Sequence, residues 1–533
     1  MTKKFYDTLG VMIDMSRNSV MSVDALKKFL PILKKMGYNC AMLYTEDTYE
    51  LEGEPYFGYM RGRYSKNELK ELDMFATSIG IELIPCIQTL AHLNANVRWG
   101  KLPIDCGDIL LVDDERTYTL IDRMFSTMSE CFASKRIHIG MDEAHMLGRG
   151  AFLDRNGYEK AATIIGRHLK KVSAIAERYG YQPMMWSDMF FRSWNNGSYY
   201  IGKTGIPEYV KNAVPKNVAQ VYWDYYHDNE SEYDDMIFNH RQLTDKIWFA
   251  GGIWGWTGFI PHNQRSIDMM LPALRSCRKN GIRNIIFTLW GDNGGECSHF
   301  SRLPALCFLA EYAKGNENMT DIKNKFRRIT GVDFDDFMKI DLPNRLGGKK
   351  QQNPSKYMLF SDYFNDFLDY NVENGAGKKY AEYAVILKEV ARKTTKYGYI
   401  FDTAAKLCDV LELKYELGVK TREAYEKGDK KTLEQLAKED YKAVEKRLRI
   451  FRDAFEKQWF RDNKTCGFDV QDLRLGGIIQ RTQSCGKRIQ EYAAGKIDRI
   501  EELEEKLLPF GGVSRGETIE FNNYECSAST NVF

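Results

Sequence analysis

From residue 8 to residue 290 the chain alternates short apolar runs with longer stretches in which apolar side chains recur about every 3.6 positions. The runs predict strands at 8–14 (TLGVMID), 39–45 (NCAMLYT), 81–87 (IELIPCI), 136–141 (RIHIGM), 182–187 (QPMMWS), 217–223 (NVAQVYW), 246–254 (KIWFAGGIW) and 284–290 (NIIFTLW). Between them VDALKKFLPILKKMGYN, ELKELDMFATSIG, YEKAATIIGRHLKKVSAIAERYG and SIDMMLPALRSCRKNG carry a helical period, and several close on a glycine stop signal. The helical signal is weakest after the fifth and sixth runs. Eight strands with intervening helices predict an α/β fold, a (β/α)8 barrel.

The pattern changes near residue 355. Runs such as KKYAEYAVILKEVARKTTKYGYIFDTAAKLCDVLELKYELGVKTREAYEKG and KKTLEQLAKEDYKAVEKRLRIFRDAFEKQWF are helical in period and rich in Lys and Glu, as solvated helix faces are. This predicts a barrel over 1–345 and a helical domain over 346–506, joined by the polar LGGKKQQNPSK. The tail, 507–533, contains the strand-like ETIEF. The helical domain is expected to serve packing or self-association, or to cover the barrel.

Composition narrows the function. A net charge of +2 leaves no electrostatic footprint for nucleic acid. No stretch approaches the length of a membrane span. MTKKFYDTLGVMIDMS has no sustained apolar segment or cleavage site, and the 11 cysteines show no zinc spacing, so reduced thiols and a cytoplasmic address are expected. The 31 Tyr, 29 Phe and 9 Trp suit flat ligands such as sugar rings as well as a large core.

In such a barrel the working residues stand where strands end at the carboxyl face. The eight ends deliver Asp14 and Arg17; Glu46, Asp47 and Tyr49; Gln88 and His92; Asp142 and Glu143; Trp186 and Asp188; Trp223, Asp224 and Tyr225; Trp254 and Trp256; and Trp290 and Asp292. A single Trp or His of this kind is more often structural. Eight ends rich in acids, aromatics, Arg and His resemble a pyranose pocket, with indole walls for the apolar sugar face and charged groups for the hydroxyls.

The run HIGMDE at 138–143 resembles the His-x-Gly-Gly-Asp-Glu signature of glycoside hydrolase family 20, the β-N-acetylhexosaminidases. Arg17 resembles the family's arginine for outer sugar hydroxyls, Glu46-Asp47 its Asp-Asp pair, IPCIQTLAH its strand-three motif with His92 at the histidine, and LWGD its Trp-x-Glu, with Trp290 and Asp292. Barrel followed by helices, with no preceding α/β domain, resembles the smaller bacterial members. Met141 stands for the second Gly of the signature, Gln88 for Asp, and Asp292 for Glu. Strand seven offers Trp254 and Trp256 where the family has a tyrosine, so the acetamide-bracing role is assigned to Tyr225.

The resemblance implies an exo-acting, retaining enzyme on an amino-sugar oligosaccharide or glycoconjugate, with no cofactor or metal, and makes a homodimer an expectation. The substrate's 2-acetamido oxygen would attack the anomeric carbon, so the protein supplies no nucleophile. Glu143 is then the acid/base and Asp142 the orienting carboxylate, with His92 and Glu46 as a relay to Glu143. Trp186, Trp223, Trp254 and Trp290 wall the ring; Arg17, Asp224 and Asp292 bind it, and Glu296 joins Arg17 and Asp292 as a candidate for the C4 hydroxyl. Adjacent residues of a strand point to opposite faces, so Asp142 and Glu143 share a site only if the chain bends there, and Gly140 fits a bend. Two other readings stand beside this one. His138, Asp142, Glu143 and His145 form an HxxxDExH cluster that suits a metal-dependent hydrolase, and a non-catalytic amino-sugar-binding protein would keep the same pocket.

Overall fold

The structure, a computed structural model, describes residues 5–346, 353–372, 374–514 and 524–529. Eight parallel strands close a barrel: Thr8–Asp14, Cys40–Tyr44, Glu82–Cys86, Arg136–His138, Gln182–Trp186, Ala219–Trp223, Ile247–Gly252 and Asn284–Leu289. Each pairs with its sequence neighbours, and the first strand closes on the last, Thr8 opposite Asn284 through Ile13 opposite Leu289. The strands read as near-continuous apolar runs because helices cover one face and barrel side chains the other; Thr8–Asp14 is buried throughout.

The helices carry the stop and start signals their sequence advertises. Val23–Met36 is capped by the Ser22 hydroxyl and ends on Gly37 at φ 109°, and Lys66–Ser78 opens on a Ser65/Glu68 capping box. Glu115–Cys131, Ala161–Arg178, Asn263–Lys279 and Leu303–Ala313 continue the outer ring. The fifth connection holds only two four-residue helices, Met189–Arg192 and Glu208–Lys211, in keeping with its weak period. The sixth does form a helix, Glu230–Arg241, started by the Asn229 side chain on the Glu232 N–H. Its apolar stripe is faint because it is largely acidic and polar.

The third connection contains a small antiparallel hairpin, Ile104–Cys106 with Ile109–Leu110, which the apolar pattern did not announce. Buried Asp105 within it accepts the Gly148, Gly150 and Phe152 N–H groups and so pins the chain leaving the fourth strand.

The C-terminal region is helical: Pro354–Phe360, Ala376–Lys393, Gly398–Lys414, Leu417–Glu426, Lys430–Lys438, Asp440–Asp462 and Phe468–Ala493. It shares one apolar core with the barrel. Phe259, from the seventh connection, packs against Phe360, Phe451 and Phe455 at ring separations of 6.0, 5.2 and 5.0 Å. The predicted ETIEF strand, and residues 347–352 of the predicted linker, lie outside the described residues. Among those described, no helix is long and apolar enough to cross a membrane.

Candidate active site

The fourth strand stops at His138, and the next residues leave the extended conformation. Gly140, Met141 and Glu143 have φ of 69°, 73° and 52°. Two of these are non-glycine residues in the left-handed region, which costs on the order of 1 kcal/mol or more each. The bend brings adjacent acids to one cavity, which a regular strand forbids. Glycine is required at 140: a Cβ there would lie 1.9 Å from the Gln88 amide oxygen. The Met141 N–H donates to that same oxygen at 3.2 Å. Met141 itself is fully buried, so packing helps hold it where its φ alone would not.

Asp142 is gripped on both oxygens. Gln88 Nε2 donates to Oδ1 at 2.9 Å and also reaches the Tyr44 hydroxyl at 2.8 Å, while His92 Nε2 stands 3.1 Å from Oδ2. Burial by itself would push the His92 imidazole down, but the Asp142 carboxylate overrides it and lifts it to about 10. Burial would likewise raise Asp142, but the His92 charge 3.1 Å away, with the Gln88 hydrogen bond, holds it at about 2. At neutral pH the pair is imidazolium and carboxylate.

Glu143 is less enclosed, its side chain 40% exposed at the pocket edge. Its Oε2 lies 3.7 Å from His92 Nε2 and its Oε1 3.8 Å from Arg192 Nη2. Behind it, buried Asp188 accepts the Glu143 N–H at 3.1 Å and the Arg192 Nε–H at 3.1 Å. Burial first, then the Asp142 charge, push the Asp188 carboxyl up to about 7. Asp188 stood among the strand-end acids but carried no expected role, because its seat behind the dyad depends on the loop.

Across the pocket Arg17 forms the cationic pole. Its guanidinium reaches Asp14 at 3.1 Å, Glu46 at 3.3 Å and Asp292 at 3.7 Å, and lies over the Tyr44 and Trp290 rings at 4.9 and 5.0 Å. Asp14, buried and accepting the Ser16 and Gly291 N–H groups, fixes this arginine to both the first and eighth strand ends. Asp292 is 47% exposed and lines the pocket.

The cavity is lined by Arg17, Asp142, Glu143, Asp292 and six aromatic residues, Trp186, Trp223, Tyr225, Tyr226, Trp256 and Trp290. Tyr225 stacks on Trp223 at 5.5 Å and its hydroxyl accepts the Trp290 Nε1–H at 3.0 Å. Thus Asp142, Glu143, Tyr225, Arg17, Trp186, Trp223, Trp290 and Asp292 come together in one cavity, with His92 and Glu46 directly behind it.

Several expected residues stand elsewhere. Asp224 is fully buried and accepts from the Tyr222 hydroxyl, the Tyr226 N–H and His227, which makes it the brace of the sixth loop. Trp254 lies behind the wall, stacked on Trp256 at 4.4 Å with its Nε1–H on the Tyr225 carbonyl, so Trp256 is the indole that faces the cavity. Glu296 is buried against Lys356 at 3.0 Å and Arg474 at 3.2 Å, away from the pocket. The expected Glu46–His92–Glu143 relay takes another form: the nearer partner of His92 is Asp142, and Glu46 pairs with Arg17. The HxxxDExH residues do not converge. His138 is buried, accepts the Gly140 N–H and packs on Trp186, while His145 is exposed; among the described residues no three His, Cys, Asp or Glu side chains are placed to hold a metal ion. Tyr226 and Trp256 are the lining residues that strand-end reasoning passed over; Trp256 stood in the strand-seven motif two residues beyond the one chosen.

A parallel barrel whose carboxyl face carries adjacent acids in an aromatic-walled, arginine-capped pocket is the arrangement of a sugar-processing hydrolase. Residues 6–235 match the family 20 glycosyl hydrolase catalytic domain, and residues 335–521 match the glycoside hydrolase 20C C-terminal domain. The chain belongs to glycoside hydrolase family 20. It is 25% identical to hexosaminidase D of Bos taurus over 286 residues, 50% of this chain and 79% of that one. It is 24% identical to hexosaminidase D of Homo sapiens over 344 residues, 58% of this chain and 66% of that one. The Vibrio harveyi GH20 exo-β-N-acetylglucosaminidase, solved with N-acetylglucosamine, superposes at a TM-score of 0.47 and 16% identity over 61% of this chain and 58% of that one.

Proposed function

We propose that this chain is an exo-acting, retaining β-N-acetylhexosaminidase that releases terminal β-linked GlcNAc, GalNAc or both by substrate-assisted catalysis. The observation that carries the reading is the left-handed turn at Gly140–Glu143, which turns both acids toward one aromatic-walled cavity. In this scheme Glu143 protonates the glycosidic oxygen as the C1–O bond breaks, and the 2-acetamido oxygen bonds to C1 to give an oxazolinium ion. Asp142 accepts the acetamide N–H and balances the positive charge. Its ionised state, secured by His92 and Gln88, supports that role. Glu143 then takes a proton from water, whose oxygen attacks C1 and reopens the ring.

Tyr225 is the candidate brace for the acetamide oxygen. Because Trp290 donates to the phenol oxygen, the phenol keeps its own hydrogen to give. Trp186, Trp223, Trp256 and Trp290 exclude water from the cyclic ion. Arg17, neutralised on three sides by carboxylates, presents a rigid fork for the outer hydroxyls, and Asp292 offers an exposed acceptor beside it.

Nitrophenyl β-N-acetylglucosaminide and β-N-acetylgalactosaminide test the proposal. Wild type is expected to turn over at least one, and to ignore the corresponding glycoside lacking the N-acetyl group. Glu143→Gln and Asp142→Asn should each lower kcat by about 10²-fold or more. An inert wild type, equal rates without the N-acetyl group, or either variant at the wild-type rate overturns the reading.

A further inference from the structure

The loop that follows the eighth strand is held from outside the barrel. After Trp290 and Asp292 the backbone passes through Asn293, Gly294 and Gly295 at φ 53°, 134° and 64°, three successive residues in a region that L side chains avoid. Such a stretch needs external contacts to keep one shape, and the C-terminal helices supply them. From helix Phe468–Ala493, Arg474 Nη1 donates to the Asn293 carbonyl at 2.7 Å and Gln471 Nε2 to the Gly294 carbonyl at 2.9 Å. From helix Pro354–Phe360, Lys356 Nζ donates to the Asn293 carbonyl at 2.9 Å. Two residues on, the buried Glu296 carboxylate is paired with both Lys356 and Arg474. On the barrel side, Asn18 reaches the Gly294 carbonyl at 3.1 Å and Asp14 the Gly291 N–H at 2.9 Å.

The side chain presented by this loop is Asp292, the exposed carboxylate beside Arg17. Polar recognition of this kind depends on placement to within about 0.5 Å, which a loop secures only through the groups that support it. We propose that the C-terminal helices position the sugar-recognition carboxylate: Arg474 and Gln471 hold the Asn293–Gly294 backbone so that Asp292 stands beside Arg17 at the pocket wall. This rests on the amino-sugar reading of the pocket and extends it to residues about 180 positions downstream of the loop. Arg474 and Gln471 are positioning residues; neither lines the cavity.

Steady-state kinetics of the full chain on the two nitrophenyl substrates test this. Arg474→Met should raise KM about tenfold with kcat within about twofold, because the lost contact serves ground state and transition state alike. Arg474→Lys should recover most of that loss. Gln471→Met, of similar shape and milder for folding, should move KM the same way by about threefold. In an Asp292→Ala background the Arg474→Met effect should vanish, which a general loss of stability would not produce. Unchanged KM in both variants, or an undiminished effect without Asp292, overturns the inference while leaving the pocket reading intact. A wild type inert on both substrates overturns the pocket reading and this inference with it.

Discussion

The turn at Gly140–Glu143 is an expensive conformation held by very few atoms. Gly140 makes room for the Gln88 amide, Gln88 holds Asp142, and Asp142 holds His92 in its charged form. Gly140→Ala sets a methyl group against the Gln88 oxygen at a φ that alanine resists. The variant should lose on the order of 10²-fold in turnover, since displacement of about 1 Å at a reacting centre has that effect. Its urea unfolding midpoint should also fall.

Asp188 makes a pH prediction with a definite sign. Its folded value, about 7, lies above the ordinary carboxylate value, so between these the folded chain keeps a proton that the unfolded chain has lost. Its contribution to stability is therefore present at acid pH and declines as pH rises through 7. Urea titrations at pH 5 and pH 8 should show Asp188→Asn gaining relative to wild type at the higher pH. A variant that loses equally at both would mean that Asp188 does not titrate there.

At the scale of elements, the strand ends are interchangeable in composition and very different in orientation. The seventh delivers two indoles two residues apart, stacked at 4.4 Å, of which one faces the cavity and the other faces protein. Trp254→Phe should remove the Nε1–H bond to the Tyr225 carbonyl and leave a cavity in a fully buried seat, costing about 2–3 kcal/mol, with KM near wild type. Trp256→Phe should cut into the pocket wall and raise KM severalfold at similar stability. Thermal unfolding beside Michaelis kinetics separates the two. The sixth strand end shows the same division: Asp224 turns under its loop to hold Tyr222, the Tyr226 N–H and His227, and by that hold presents Tyr225 and Tyr226.

For the molecule as a whole, barrel and helical region share a core and a buried ionic junction. Glu296 and Lys356 have side chains 1% exposed, and their ion pair crosses from the eighth barrel loop to the C-terminal helices. Removing Lys356 leaves the buried Glu296 carboxylate with Arg474 at 3.2 Å but without its ammonium partner, which should cost about 1–3 kcal/mol, less than a buried charge left wholly unpaired. Lys356→Met should therefore lower the stability of barrel and helices together, read as one cooperative transition at a reduced denaturant midpoint. Two transitions, with only the helical one shifted, would mean that the junction does not couple them.

The barrel was legible in the chain because each strand is a local run of apolar residues, and because closing eight such runs leaves little topological choice. The acids and aromatics of the rim were legible for the same reason: strand ends can be counted. What could not be read was the direction in which each rim side chain points. That depends on left-handed residues such as Met141, Glu143 and Asn293, and on partners distant in sequence. So Asp224 and Trp254 were expected in the pocket and stand behind it, and Glu296 was expected at a sugar hydroxyl and meets Lys356 and Arg474. Periodicity reports the burial of a segment; the aim of a side chain at a loop is settled by dihedral angles and long-range contacts that exist only once the chain has closed on itself.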